Sequence, residues 1–362
     1  MKITANHPGG NIVVINQNDN LAVLKVDIRD TTERWFYWNF AVSGANGKSI
    51  TFQFAEDELI GRFGPAKSID MINWAFLKDE CDFSSASFTY NFKQNEDKVY
   101  FAFSLPYQYS HFESFYKKAG HNNAARLTSL TKTIKGDRDV PLLVIGDDAS
   151  KGDIVFSCRN HCCESVASYV LEGIMEYIID NYSSFKGYRF HIVPFVDLDG
   201  VENGDQGKSR FPHDHNRDYT DKPIYETVKA WMGYVAKLNL VMGIDFHCPW
   251  KWGGGNDYMA FVKPLIELSD NIEEFSSVLK QQAEQDTFEN KIIYEGDFDL
   301  MPGQSWLPVI PNSTAASFYG RSGARVAFTL EVPYFGLDCE HTQENTVHFG
   351  KVFAKSLELY LK

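Results

Sequence analysis

From residue 141 onward the chain alternates short apolar runs with longer helix-like stretches, and no other feature narrows its possible folds so far. PLLVIG (Pro141 to Gly146), DIVFSCRN and RFHIVPFV (Arg189 to Val196) read as strands, with a helix from about Cys162 to Tyr182 before the last of them. A helix over Tyr225 to Leu238 precedes LVMGIDF (Leu240 to Phe246), and another covers about Leu265 to Phe288. RVAFTLEVP (Arg325 to Pro333) and a closing helix from about Gln343 to Leu361 complete the series. Strands that alternate with helices in this way predict an α/β fold, a mixed and mostly parallel sheet flanked by helices. In such folds ligands sit beyond the carboxyl ends of the strands.

The N-terminal third reads differently. From Asn11 to about Phe103 it is aromatic and alternating, as in RWFYWNFAV (Arg34 to Val42) and SITFQF (Ser49 to Phe54), broken by turn clusters such as SGANGK. Period-two patterning predicts antiparallel strands, here a small all-β sandwich. A helix-like segment and a Lys/Thr-rich link fill Tyr107 to Thr133, so the expected domains are 1–120 (β-sandwich) and 121–362 (α/β). Gly253 to Gly255 reads as a flexible turn, since no phosphate-binding glycine pattern accompanies it.

Composition excludes several classes of function. A net charge of −13 argues against nonspecific nucleic-acid binding, which depends on Lys and Arg meeting phosphates. No stretch approaches the roughly 20 apolar residues that cross a bilayer. The N-terminus lacks a signal-peptide core, and the six cysteines show no disulfide-framework spacing, so the expected setting is cytoplasmic. Adjacent Cys162 and Cys163 read as small buried fillers in preference to zinc ligands or nucleophiles.

Chemistry-bearing residues collect at the strand ends. His161 and Glu164 end the run VFSCRNHCCE, and a helix starting near Cys162 would set them side by side on one face. This spacing is expected roughly once per chain by chance, and His341 with Glu344 repeats it. The second pair is read as the start of the last helix, with an acid in its first turn. Context favours the first pair: DLDG (Asp197 to Gly200), DHNR (Asp214 to Arg217), His247 after GIDF and Glu331 within FTLEVP also follow or end apolar runs. With His247 the pair becomes a His₂Glu set, a composition used by catalytic zinc sites. His213 and His215, flanking Asp214, form an alternative pair with no better third ligand.

In these segments the chain resembles the zinc metallocarboxypeptidases of peptidase family M14, and more closely their cytosolic carboxypeptidase branch. HCCE resembles the family's HxxE, VDLDGVENG its NPDGVxxG, DHNRDY its DLNRxW, IDFHCPW its DLHGH, and FTLEVPYFG the segment that carries the catalytic glutamate. YFAFSLPYQYSHF (Tyr100 to Phe112) is similar to the branch's junction between its N-terminal β-domain and catalytic domain. The resemblance implies one Zn²⁺ per chain on His161, Glu164 and His247, with Glu331 as general base and Asp214 orienting the ring of His161. It implies that Asn216 and Arg217 hold the terminal carboxylate of a peptide or protein substrate. The loop ENGDQGKSRFPH offers Lys208 and Arg210 for the family's carbonyl-polarising cation, and Arg210 is the expected one. The family's mobile-loop tyrosine has no counterpart: Gln304 to Phe318 carries Trp306, and Tyr319 is the nearest substitute. Arg321 or Arg325, if facing the side-chain pocket, would select a C-terminal Glu or Asp. Two other readings stand beside this one, an N-acyl amino acid amidohydrolase and a noncatalytic binding protein on the same fold. The presence of Glu331 with all three ligands argues against the latter.

Overall fold

The computed structural model describes residues 1–362 except 79–80, 83–85, 120–123, 147–149, 306, 308–312 and 338. Ten strands come first: β1 (Lys2–Thr4), β2 (Val13–Gln17), β3 (Leu21–Lys25), β4 (Asn39–Ser43), β5 (Ser49–Phe54), β6 (Ala66–Ser68), β7 (Ala75–Phe76), β8 (Cys81–Asp82), β9 (Ser87–Asn91) and β10 (Lys98–Ala102). They form two five-stranded sheets, ordered β1-β4-β10-β6-β7 and β2-β3-β5-β9-β8, antiparallel except for the pairing of β3 with β5. The alternation read from the sequence supplies the core. Ile50, Phe52 and Phe54 of β5 are buried while their neighbours are not. Phe52 meets Phe101 of the other sheet at 5.5 Å between ring centroids, and Phe88 lies 5.0 Å from Phe52.

Helix α1 (Tyr109–Ala119) leads out of the sandwich. The expected boundary near residue 120 lies outside the described residues. The Lys/Thr-rich stretch after it is not a link but strand β11 (Ala125–Lys132), paired antiparallel with β12 (Asp139–Ile145). There follow β13 (Gly152–Cys158), α2 (Val166–Asp180), β14 (Tyr188–Val193), α3 (Leu198–Asn203) and α4 (Glu226–Val235). The chain closes with β15 (Leu240–His247), β16 (Ala260–Val262), α5 (Ser269–Gln285), α6 (Ala315–Arg321), β17 (Val326–Glu331) and α7 (Gln343–Tyr360).

These seven strands make one mixed sheet, β11-β12-β14-β13-β15-β17-β16. The four central strands run parallel, and antiparallel strands complete both edges. Parallel strands buried on both faces read as near-continuous apolar runs, and β13, β14, β15 and β17 are mostly of this kind, with Asp153, His191 and Asp245 among the exceptions. Phe156, Phe246 and Phe328 face one layer of helices, with Phe246 against Phe353 of α7 at 6.1 Å. Val155, Val193 and Ala327 face the other, with Trp231 of α4 and Tyr319 of α6. Helices α2 and α7 cross at Gly173 and Gly350, where an added Cβ would stand 1.9 Å from the Val347 carbonyl oxygen and 2.1 Å from that of Val170. Among the described residues, no helix is long and apolar enough to cross a membrane.

Candidate metal centre and active site

The C-terminal ends of β13, β15 and β17 open into a cavity of about 960 Å³ that contains His161, Glu164, His247 and Glu331. The ligand turn differs from the expected helix: α2 starts at Val166, and His161 to Glu164 form a turn before it. Tertiary bonds hold this turn. Arg159, just after β13, adopts a left-handed φ of +61°, and its buried guanidinium donates to the carbonyls of Tyr107 (2.7 Å) and Cys162 (2.9 Å). Ser165 donates to the Leu105 carbonyl at 2.6 Å. The residues just before α2 are thereby committed outside the helix.

His161 Nδ1 lies 3.1 Å from Glu164 Oε1, His247 Nδ1 lies 2.6 Å from Glu164 Oε2, and the two Nδ1 atoms are 3.1 Å apart. All three residues are buried, and one ligating atom from each falls within 4.8 Å of the others. Each imidazole is backed by a carboxylate on its far nitrogen: His161 Nε2 is 3.3 Å from Asp214, and His247 Nε2 is 2.6 Å from Asp245. A carboxylate on Nε2 is the arrangement that leaves Nδ1 of a neutral ring able to ligate an ion. Two nitrogens and a carboxylate converging in this way fit a divalent cation such as Zn²⁺. Burial alone would push the Glu164 carboxyl up, but Lys208, His161 and His247 hold it well below its ordinary value. Asp214 is likewise penalised by burial yet held low by His161.

Glu331 ends β17 on the same face, in register with His247. Its Oε2 is buried and has no hydrogen-bond partner among the described residues. Burial pushes this carboxyl above the usual range, with His247 pulling against it. Asn216 Nδ2 is 3.2 Å from His247 Nε2, and its Oδ1 accepts from the Ala315 amide at 3.0 Å. Asn216 and the exposed Arg217 both line the cavity. Asp218 is bound to His213 (2.7 Å) and to the amides of Ile224 and Tyr225. His215 stacks on Tyr225 at 3.7 Å, so the two flanking histidines do not join the cluster. His341 is tied to the Pro333 carbonyl, and Glu344 lies in the capped first turn of α7.

Three expectations need correction. Arg210 does not line the cavity: it binds Asp30 (2.9 Å), Asp197 (2.6 Å) and Asp205 (3.3 Å), because the buried carboxylates of Asp197 and Asp205, with half-buried Asp30 beside them, demand a cation there. Lys208 enters the cavity instead, with Nζ 2.6 Å from Glu164 Oε1. Arg321 and Arg325 are exposed at the far end of α6 and at the entry of β17, and neither is among the described residues that line the cavity. The cavity's lining includes Ala260, Val262, Thr314 and Thr329 beside the charged Lys208, Arg217, Asp297 and Asp299. Tyr319 is buried, bonded to Ser157 (2.6 Å) and Trp231 (2.8 Å), and cannot serve as a loop tyrosine. Trp306 lies outside the described residues. Cys162 and Cys163 are buried; burial raises both thiols, that of Cys163 to about 11, as suits fillers.

Sequence reasoning overlooked Asp245 and Trp35. Asp245, fully buried, accepts from Ser157 (2.6 Å) and Asn160 (2.8 Å) besides contacting His247. An acid inside an apolar strand was the available signal, since a buried charge must find partners. Trp35 reaches the cavity from the N-terminal sandwich, and nothing local in its aromatic run distinguishes it.

Residues 3–104 match the family model for the cytosolic carboxypeptidase N-terminal domain. An uncharacterized protein of Zymomonas mobilis is 24% identical over 355 residues, covering 92% of this chain and 88% of that one. Human cytosolic carboxypeptidase 1 is 30% identical over 190 residues, which covers 44% of this chain but 15% of the human protein's length. The fold matches a metallo-carboxypeptidase from Burkholderia cenocepacia with a TM-score of 0.80 at 17% identity, over 99% of this chain and 98% of that one. It matches equally a Pseudomonas aeruginosa metallo-carboxypeptidase solved with (2-guanidinoethylmercapto)succinic acid, at a TM-score of 0.80 and 18% identity over the full length of both chains.

Proposed function

We propose that this chain, a member of the M14 carboxypeptidases with a cytosolic carboxypeptidase N-terminal domain, is a zinc-dependent carboxypeptidase that releases C-terminal residues from peptides or proteins. The observation that carries this reading is the buried, unpartnered Oε2 of Glu331 in the same cavity as the His161, Glu164 and His247 cluster. In this reading those three residues hold one Zn²⁺, for which two imidazoles and a carboxylate are a fitting set. A cation there supplies Lewis acidity and lowers the pKa of water. Glu331 takes the proton of the attacking water and delivers it to the leaving amine, a role open to a buried carboxylate whose Oε2 has no hydrogen-bond partner among the described residues. Asp214 and Asp245 fix the imidazole rings. Arg217, with Asn216 beside it, pairs with the substrate's terminal carboxylate, for which a guanidinium fork is well shaped. That pairing limits cleavage to the chain end.

Residues 1–120 form the N-terminal domain in this account and 121–362 the catalytic domain. Cys158, Cys162, Cys163 and Cys248 are buried thiols outside any disulfide, which supports a cytoplasmic setting. Incubation with peptides that differ only in the last residue tests the reading: stepwise C-terminal release is expected, and release that starts inside the chain or not at all would refute it.

A further inference from the structure

We propose that Lys208 is the cation that meets the substrate's scissile carbonyl, and that the N-terminal domain completes the catalytic centre by holding the loop that carries it. The proposal rests on the carboxypeptidase reading above. The loop 205–210 has two cations, and the structure separates their tasks. Arg210 turns outward into Asp30, Asp197 and Asp205. Lys208 turns inward: its Nζ touches Glu164 Oε1 at 2.6 Å, so its reach extends to a carbonyl oxygen lying against the His161, Glu164 and His247 cluster.

Residues of the N-terminal domain fasten this loop almost atom by atom. Asp30 accepts from the amides of Gln206 and Gly207, each at 2.9 Å, and from Arg210 Nε at 2.9 Å. The Ser209 carbonyl accepts from the Thr32 amide (3.0 Å) and hydroxyl (2.7 Å). The Gln206 side chain bonds both the amide (2.9 Å) and the carbonyl (2.8 Å) of Tyr37, as a strand neighbour would. Between these anchors the backbone is strained: Ser209 has φ +49° without being glycine. A Cβ on Gly207 would stand 2.5 Å from the Cys162 amide nitrogen. Strain of this kind persists where surrounding bonds over-determine it, and it is concentrated at functional sites.

The same domain restrains the side chain. Trp35 lines the cavity with its ring under the ammonium, 5.0 Å from Nζ to centroid, and is braced edge-on by Trp250 at 4.8 Å. This matters for chemistry because an ammonium on a four-carbon stem is a mobile point charge. Charge stabilises a developing oxyanion only when it is already in place. Asp30 and Trp35 are therefore positioning residues, and Lys208 is the group that donates to the carbonyl oxygen.

The test uses the metal-loaded full chain and a peptide that the wild type cleaves. Lys208→Met is expected to lower kcat by about 100-fold or more, the usual cost of one oxyanion donor, with KM changed by less than about threefold and metal content unchanged. Lys208→Arg should recover part of kcat. Asp30→Asn and Trp35→Leu should each lower kcat, yet add little on top of Lys208→Met, because they act through it. A phosphonate analogue of the tetrahedral state should bind Lys208→Met more weakly by the factor lost in kcat/KM, while the product amino acid binds as before. In the metal-free chain Asp30→Asn should speed amide hydrogen exchange at residues 206–207. Wild-type kcat in Lys208→Met, or losses from Trp35→Leu that multiply with it, would overturn the proposal while peptide cleavage stands. Absence of peptide cleavage by the wild type would instead remove the carboxypeptidase reading, and this proposal with it.

Discussion

His247 and Glu331 are register partners at the C-terminal ends of the adjacent parallel strands β15 and β17. The distance between a metal-ligand candidate and the candidate base is therefore set by sheet spacing, about 4.8 Å between neighbouring strands, and not by a loop. Rigid elements hold reacting groups more accurately than loops do. The ligands on the other side, His161 and Glu164, come from a turn, and that turn needs Arg159 and Ser165 to fix it.

The carboxylate behind His247 is expected to control metal affinity. Asp245→Asn keeps the shape but removes the charge 2.6 Å from Nε2. Loss of such a partner typically weakens metal binding about 10- to 100-fold. Competition with a zinc-buffering chelator checks this, and unchanged affinity would show that Asp245 serves only Ser157 and Asn160.

Arg321→Ala and Arg325→Ala should leave the ratio of C-terminal Glu to Leu release unchanged. Both side chains are exposed, and β17 separates Arg325 from the cavity end of the strand. With Lys208 and Arg217 engaged by the substrate's backbone in the proposed roles, the other charged side chains lining the cavity, Asp297 and Asp299 among them, are acids that would repel a carboxylate, so Leu should be released faster than Glu. Rates of single-residue release by mass spectrometry decide both points.

Folding stability should carry a pH signature from His341. Burial lowers this imidazole from 6.5 to about 4. Between those values the unfolded chain binds the proton and the folded chain does not. Its contribution is thus complete above pH 6.5 and declines as pH falls toward 4, by about 1.4 kcal/mol per pH unit. His341→Gln removes that slope and, at pH 7, costs about 1 kcal/mol for the lost bond to Pro333. Urea titrations at pH 7 and pH 5 should show the gap between wild type and variant closing and then changing sign on acidification, since the wild type loses about 2 kcal/mol by pH 5 and the variant does not. A constant gap would mean the ring is not buried neutral.

At the crossing of α2 and α7, Gly173→Ala should destabilise the fold. A methyl there would meet the Val347 carbonyl oxygen at 1.9 Å, so the helices must part. Overpacking of this kind costs about 3 kcal/mol, against a helix-propensity gain of about 1 kcal/mol. A net loss of about 2 kcal/mol in the unfolding free energy, measured by urea titration, is expected; a stabilised variant would show that the crossing yields without cost.

The order of strands and helices was legible because the parallel strands are buried on both faces and spell apolar runs. Strand β11 escaped notice for the opposite reason: it is an edge strand with half of its residues exposed and none buried, and its polar text resembles a linker. The start of α2 was read four residues early, since the bonds that divert residues before it come from Leu105 and Tyr107. The metal-ligand candidates stood at strand ends and were visible there. The choice between Lys208 and Arg210 was not, because the acids that capture Arg210 include Asp30, far away in sequence, which joins Asp197 and Asp205 only in the folded chain.

The most direct test of the central claim measures zinc per chain by elemental analysis together with C-terminal residue release, for the wild type and Glu331→Gln. The account predicts about one zinc per chain in both, and stepwise release by the wild type that falls by about a thousandfold or more in the variant. Zinc bound without peptide release, or release that survives in Glu331→Gln, would contradict it.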